Sequence, residues 1–265
     1  PIINALGGKM RFIISGGAPL DKEIEKKFNE FGIHIVQGYG LTETSPVIAV
    51  NSFERVKIGT VGHVLDNLDV KIQADGEITV KGPSVFQGYY KDDKKTKEAF
   101  TEDGYFMTGD IGHIDEEGFL HITDRKKEMF KTSGGKYVAP QVLENLAKGS
   151  KFIEQIMVVG DGEKMPCALV QPDYAFAKLW AERKHLKIGK TPEEMANSPE
   201  LKARIMKDIN LLNATLGKWE QIKKIELTPT LWTIEDGLLT PTMKLKRKAV
   251  KEKFFNLYEK LYDRA

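Results

Sequence analysis

The sequence predicts an α/β segment that runs into an antiparallel β-subdomain and ends in an α+β domain. Three observations carry this. Residues 10–40 read strand, helix, strand, with glycines where both strands end. From about Asn51 the pattern changes to short strand-like runs broken by the turn pairs Asp75-Gly76 and Gly82-Pro83. After Arg125 helical and strand-like runs alternate.

Taken in order, "MRFIISGGAPL" (10–20) reads as a buried strand that breaks into a glycine turn. Leu20, Ile24, Phe28 and Phe31 then recur at helical spacing, and Gly32 supplies a stop. "IHIVQGYG" (33–40) is a second strand. "DDKKTKEAF" (92–100) predicts a short surface helix, and Glu117-Gly118 the turn of a hairpin. "VAPQVLENLA" predicts a helix with Pro140 in its first turn. "IEQIMVVG" and "CALVQP" predict paired strands, 173–185 and 199–216 helices, and "IKKIELTPT" a late strand. Val250, Phe254, Leu257, Tyr258 and Leu261 mark one final amphipathic helix. A domain boundary is expected near Lys126–Lys127, giving domains 1–125 and 126–265.

Composition narrows the class. With 41% hydrophobic and 29% charged residues the 265-residue chain reads as globular. A net charge of +2 gives no electrostatic case for a nucleic-acid partner. A single cysteine, Cys167, forbids an internal disulfide and favours a reduced, cytoplasmic setting; it reads as a packing residue in a strand. No apolar run approaches the ~18 residues of a membrane span. The five histidines (34, 63, 113, 121 and 185) show no metal-ligand spacing. Trp180, Trp219 and Trp232 read as packing residues.

The chemistry is concentrated in glycine-bearing turns. In "GYGLTE" (38–43) Gly38 and Gly40 flank Tyr39, whose ring suits a purine face. The Thr42 hydroxyl suits a phosphate oxygen and the Glu43 carboxylate suits Mg²⁺. A plain strand–turn–helix joint would explain that stretch equally well. "SGGAP" (15–19) adds a second turn at the end of the preceding strand, where parallel sheets bind ligands. In "TGD" (108–110) Asp110 suits the two hydroxyls of a ribose, and Arg125 in "DRKKE" is a rigid donor fork. "KTSGGKYVAP" (131–140) is a third glycine turn; it is not a Walker A loop, because Phe130 stands where the first glycine is required.

In this order and at these separations, "GYGLTE", "GYFMTGD", "DRKKE" and "PTMKLKR" resemble the adenylate-forming superfamily, and most closely the long-chain fatty-acid–CoA ligases. The resemblance covers essentially the whole chain. It implies that 1–125 is the C-terminal part of the large AMP-binding domain, an α/β piece plus an antiparallel β-subdomain. It makes 126–265 the small mobile α+β C-terminal domain. It implies ATP, Mg²⁺ and CoA as cofactor and substrates, with a fatty acid as the other small-molecule substrate. Gly17, Ala18 and Pro19 would line an adenine pocket, and Tyr39 and Gly40 would meet the base. Thr42 would touch phosphates, Glu43 would hold the metal, and Asp110 with Arg125 would hold the ribose. Lys127 sits at the family's hinge. Gly134 and Gly135 would approach the pantetheine arm of CoA. Lys244 matches the family's invariant lysine and would meet the carboxylate and α-phosphate during adenylation. The rest of the basic run, Lys246, Arg247, Lys248, Lys251 and Lys253, reads as a solvated helix face.

The chain departs from the family pattern in three places. The phosphate loop T-S-G-T-T-G-x-P-K is absent and would precede Pro1, so the chain reads as a fragment expected to be inactive alone. The residues around Lys244 are "TMK" where S-G-K is common. The 131–140 loop is one residue longer than the short form. Two further readings stand beside the CoA ligase: an adenylating enzyme that loads a carrier-protein thiol, and a non-catalytic nucleotide-binding fragment. The helical stretch 176–216 has no assigned role. Peripheral membrane association and oligomeric state are left open.

Overall fold

The computed structural model describes residues 2–264. The chain divides into two compact units, Pro1–Lys127 and Glu128–Ala265.

The first unit begins with α1 (Ile2–Ala5), β1 (Phe12–Ser15), α2 (Lys22–Glu30) and β2 (His34–Gly40). A 3₁₀ turn over Thr42–Thr44 leads to β3 (Val47–Val50) and β4 (His63–Val64). These strands form a sheet in the order β1-β2-β3-β4. β1 and β2 run parallel, from Phe12↔His34 to Ser15↔Gln37, and the later pairs are antiparallel. Asp21 caps α2 by accepting from the N–H groups of Glu23 and Ile24. Gly32, at φ +78°, ends the segment as expected.

One expectation fails here. β1 is not buried: it is the edge strand, and Ile14 is 70% exposed. A parallel strand is buried only where both of its faces are covered. The apolar stripe of α2 also lies outside the core, with Ile24 and Phe31 exposed, while the helix buries Glu25 completely. The Glu25 carboxylate accepts from Gln37 Nε2 at 2.7 Å and from the Gly59 N–H at 2.9 Å. Burial raises its pKa, and these two donors offset part of the cost.

The second sheet contains β5 (Asp69–Ile72), β6 (Glu77–Lys81), β7 (Phe106–Ile114) and β8 (Leu120–Arg125), all antiparallel in that order. α3 (Asp93–Glu98) lies between β6 and β7. Asp75-Gly76 and Glu117-Gly118 occupy the hairpin turns, as the turn signals require. Asp115 organises the second turn. Its Oδ1 accepts from the N–H groups of Glu117 and Phe119, and its Oδ2 meets Lys57 Nζ at 2.7 Å and His121 Nε2 at 2.9 Å.

The second unit has a two-stranded ribbon of β9 (Phe130–Lys131) and β10 (Tyr137–Val138), then α4 (Pro140–Ala147). Its main sheet contains β11 (Ile153–Val159), β12 (Cys167–Pro172) and β13 (Ile225–Leu227). α5 (Tyr174–Lys184), α6 (Pro192–Ala196) and α7 (Pro199–Asn213) fill the excursion between β12 and β13. The continuous apolar runs of β11 and β12 mark strands buried on both faces. Ile156, Val158, Ala168 and Val170 face a cluster with Leu143, Leu201, Ile205 and Ile209. The alternate residues Met157, Val159, Cys167 and Leu169 face Trp232, Val250, Phe254 and Leu261. Cys167 is therefore a buried packing residue. The helices at 174–213 thus supply one wall of the core. Trp232 packs as expected, but Trp219 is half exposed.

The predicted final helix is two helices, α8 (Arg247–Lys253) and α9 (Phe255–Leu261), broken at Phe254 (φ −110°, ψ 33°). The Phe254 ring is buried beside Trp232, so the apolar stripe continues across the break.

Asp115 yields a pH prediction. Hydrogen bonds from Lys57 and then His121 lower its pKa, and Lys71 lowers Asp103 to about 2. Carboxylates shifted downward stabilise the fold above the ordinary aspartate pKa of about 4 and lose that contribution as pH falls through their folded values. Asp115→Asn is expected to lower Tm near neutral pH, and its deficit relative to the parent chain should shrink as pH falls from about 4 towards about 2. A deficit independent of pH would show that the charge of Asp115 is not the source.

Candidate functional site

The first unit brings four of the candidate residues together around the end of β2. Tyr39 lies near the C-terminal end of that strand. It packs against both core clusters of the unit, beside Ile48 and Val80 in one and Ala49 and Ile78 in the other. Its hydroxyl crosses to the second sheet and donates to Asp110 Oδ2 at 2.7 Å. Burial, and then the negative charge of Asp110, push the Tyr39 phenol well above its ordinary range, so it remains a donor.

Asp110 is buried on β7, and its registered partner on β8 is Arg125. Arg125 Nε lies 3.2 Å from Asp110 Oδ1. Directly opposed residues in an antiparallel pair are close enough for side chains to meet. A bulge follows at once, between Ile111 and Gly112, and shifts the register beyond the pair. The backbone before Asp110 is also anchored. The Thr108 hydroxyl donates to Ile78 O and accepts from the Asp110 N–H, while the Gly109 N–H donates to Glu77 Oε1 at 2.9 Å. Glu77 Oε2 in turn accepts from Lys126 Nζ at 2.6 Å. The result is a carboxylate held in a fixed orientation by an aromatic hydroxyl and a guanidinium. That chemistry suits acceptance of paired hydroxyls.

The turn after β2 is unusually tight. A Cβ on Gly40 would lie 1.7 Å from Pro46 O, so only glycine fits. The Thr44 hydroxyl pins the same turn by donating to Pro46 O at 2.6 Å and accepting from the Leu41 N–H at 3.0 Å. This places Thr42, exposed, and Glu43, half-buried, in the 3₁₀ turn beyond Tyr39. Glu43 Oε1 accepts from the Tyr89 hydroxyl at 3.0 Å, and Glu43 O accepts from the Phe86 N–H. Gly17, Ala18 and Pro19 are exposed in the turn that follows β1. That turn runs beside β2, since a Cβ on Gly16 would lie 3.2 Å from Gly38 O.

Among the described residues no group of three or more His, Cys, Asp and Glu could hold a metal. A single oriented carboxylate fits Mg²⁺ nonetheless, because that ion is commonly held by one or two carboxylates together with substrate phosphates.

The remaining candidates belong to the second unit or its border. Lys127 is exposed and is the last residue of the first unit. Gly134 and Gly135 form the turn of the β9–β10 ribbon, with Gly135 at φ +79° and its N–H bonded to Thr132 O. Lys244 is exposed on a turn in which its N–H donates to Thr240 Oγ1 and its carbonyl accepts from the Thr240 N–H.

Three supporting residues escape sequence reasoning. Tyr89 in "VFQGYY" and Glu77 act across sequence separations that no local pattern encodes. Arg247, read as part of a solvated face, is instead half-buried, and it pairs with the buried Glu144 at 2.7 Å. The basic run hid it, because its partner lies 103 residues away.

The model of the AMP-binding enzymes matches residues 3–90, and that of the AMP-binding enzyme C-terminal domain matches 128–265. The chain therefore belongs to the AMP-binding enzyme family. It is 42% identical over 260 residues to a long-chain-fatty-acid–CoA ligase of Mycobacterium bovis, covering 98% of this chain and 43% of that protein. It is 37% identical over 273 residues to long-chain-fatty-acid–CoA ligase 6 of Rattus norvegicus, covering 97% and 39%. The chain thus spans less than half the length of these relatives. Among solved structures, the adenylation domain of a carboxylate reductase from Mycobacterium chelonae matches with TM-score 0.75 at 25% identity, covering 94% of this chain and 38% of that one. An ATP-bound MatB from Rhodopseudomonas palustris matches with TM-score 0.71 at 26% identity, covering 95% and 47%. No helix among the described residues is long and apolar enough to cross a membrane.

The Gly40 contact is directly testable. Gly40→Ala must displace the 40–46 turn and is expected to cost about 3 kcal/mol, as for other overpacked or strained core sites. The urea midpoint would report it. An unchanged midpoint would mean that the turn has slack.

Proposed function

We propose that this chain carries the adenosine- and metal-binding part and the C-terminal part of an ATP-dependent long-chain fatty-acid–CoA ligase. The observation that carries the reading is the Tyr39–Asp110–Arg125 arrangement beside the Glu43 turn. The names of the relatives supply the substrate class. In this reading a fatty-acid carboxylate oxygen attacks the α-phosphorus of ATP, the bond to the bridging oxygen breaks, and pyrophosphate leaves. The CoA thiol, having lost its proton, then attacks the acyl carbon, and AMP leaves with the bonding pair.

Each residue has a role suited to its chemistry. Tyr39, Gly40 and the Gly17-Ala18-Pro19 turn flank the adenine. Asp110, oriented by Tyr39 and Arg125, accepts the ribose hydroxyls. Thr42 donates to a phosphate oxygen. Glu43 would hold Mg²⁺, which supplies charge neutralisation at the phosphates when bound. Lys244 contributes fixed positive charge to the oxygens crowded around the α-phosphorus. The Gly134–Gly135 turn serves the thioester step, and Lys127 is the pivot between the two half-reactions. Comparing CoA with a carrier-protein thiol as acceptor separates the two ligase readings.

The deciding assay is carboxylate-dependent ATP–pyrophosphate exchange by the full-length protein across fatty acids of increasing length. Exchange that rises with chain length is expected. Lys244→Ala should slow exchange by about 10²–10³-fold, as for loss of one transition-state charge contact, while thioester formation from supplied acyl-adenylate is largely kept. Exchange at the parent rate in that variant would remove Lys244 from the mechanism.

Tyr89→Phe tests the support of Glu43. Loss of a hydroxyl that orients a metal carboxylate is expected to raise the Mg²⁺ concentration for half-maximal exchange by about 10-fold. An unchanged Mg²⁺ dependence would mean that Tyr89 serves only packing.

A further inference from the structure

Lys244 poses a mechanical problem. It is an exposed lysine on a long flexible stem, in a turn whose tip residue Met243 is also exposed and adopts φ +61°. Charge delivered to a reacting centre is effective only when its position is fixed to a fraction of an ångström. What fixes this turn must therefore act on its base.

The N-terminal side of the base is anchored by apolar burial, since Leu238 and Leu239 are almost fully enclosed in the cluster that also holds Trp232, Val250 and Phe254. Backbone contacts close the turn: Leu239 bridges Leu245, and the Lys246 N–H donates to Leu238 O at 2.9 Å. On the C-terminal side Leu245 is only partly buried against the same cluster, and Lys246 is exposed. Arg247 anchors that side. Its Nη1 donates to both carboxylate oxygens of Glu144, at 2.7 and 3.0 Å, and its Nη2 donates to Val158 O at 2.5 Å. Glu144 Oε1 also accepts from the Val158 N–H at 2.7 Å.

One guanidinium and one carboxylate thus pair both backbone groups of a single residue of β11. β11 is an edge strand of its sheet, so those groups lack a neighbouring strand on that side. The pair takes the place of that neighbour. It joins α4, the sheet edge and the first residue of α8, three residues after Lys244. The planar fork of arginine suits this double duty, and a lysine would offer only a point charge.

We propose that the Arg247–Glu144 pair is the positioning device for Lys244, holding the base of its turn to the edge of the sheet during adenylation. This rests on the role proposed for Lys244 above. Arg247 and Glu144 are positioning residues and touch no substrate.

The test uses the full-length enzyme with Arg247→Lys, Glu144→Gln and Lys244→Ala. Pyrophosphate exchange and thioester formation from supplied acyl-adenylate and CoA are measured for each, together with Tm. Glu144→Gln keeps an oxygen for the Val158 N–H and is the variant of choice should Arg247→Lys fold poorly. The expected result for both pair variants is a fall in exchange kcat of about 10- to 100-fold, the scale of a misplacement near 1 Å, with KM for ATP and fatty acid little changed. Thioester formation should stay within about threefold of the parent, because the other half-reaction does not use Lys244.

A purely structural role would depress both half-reactions together, in step with Tm, and that outcome overturns the proposal. Parent-like exchange in Arg247→Lys and Glu144→Gln, with exchange lost in Lys244→Ala, also overturns it while leaving the role of Lys244 intact. Exchange that survives in Lys244→Ala overturns both.

Discussion

The hydrogen bond from Tyr39 to Asp110 is the constraint on which the first unit turns. It joins β2 of one sheet to β7 of the other at 2.7 Å. The Tyr39 ring packs into both core clusters of the unit, so the same side chain is a packing element and a polar link. A buried carboxylate is costly unless it is paired. Here Tyr39 and Arg125 supply partners, and the anchored Thr108-Gly109 backbone fixes the approach. The cost of burying Asp110 is offset by contacts that also set its direction.

The same logic recurs at three other buried carboxylates. Glu25 is enclosed under α2 and bonded to Gln37 and Gly59. Glu77 spans the Gly109 N–H and Lys126. Glu144 lies between Val158 and Arg247, and burial pushes its pKa up to about 7 against the opposing pull of the guanidinium. In each case an acidic side chain joins segments far apart in sequence. Such pairs add little net stability compared with an apolar core, but breaking one leaves a buried charge without compensation. They are therefore better suited to fixing geometry than to adding stability.

The two units achieve burial differently. In the second unit the three-stranded sheet is covered on both faces, and the alternation of β11 and β12 divides its residues between two apolar clusters. In the first unit the covered strands are β2, β3 and β6, while the edge strand β1 and the stripe of α2 stay open. Most of the candidate residues in the first unit lie at strand ends and turns, where glycines let the backbone pass closely, as at Gly40.

Sequence alone determined the succession of elements, because periodicity, turn pairs and glycine stops are local signals. It marked the hairpin turns, the Pro140 helix and the buried Cys167 strand. It also nominated Tyr39, Glu43, Asp110 and Arg125, since their motifs, weak singly, are specific in this order and at these separations. It misjudged the burial of β1 because an apolar pattern shows which face wants cover and not whether cover is supplied. It ran α8 and α9 together because the apolar stripe is continuous through Phe254, where only the backbone breaks. Tertiary structure alone decided that Tyr39 bonds Asp110 across 71 residues, that Tyr89 holds Glu43 across 46, and that Arg247 holds Glu144 across 103. Hydrogen-bond partners are chosen by proximity after the sheets have formed, and no local pattern of residues encodes that proximity.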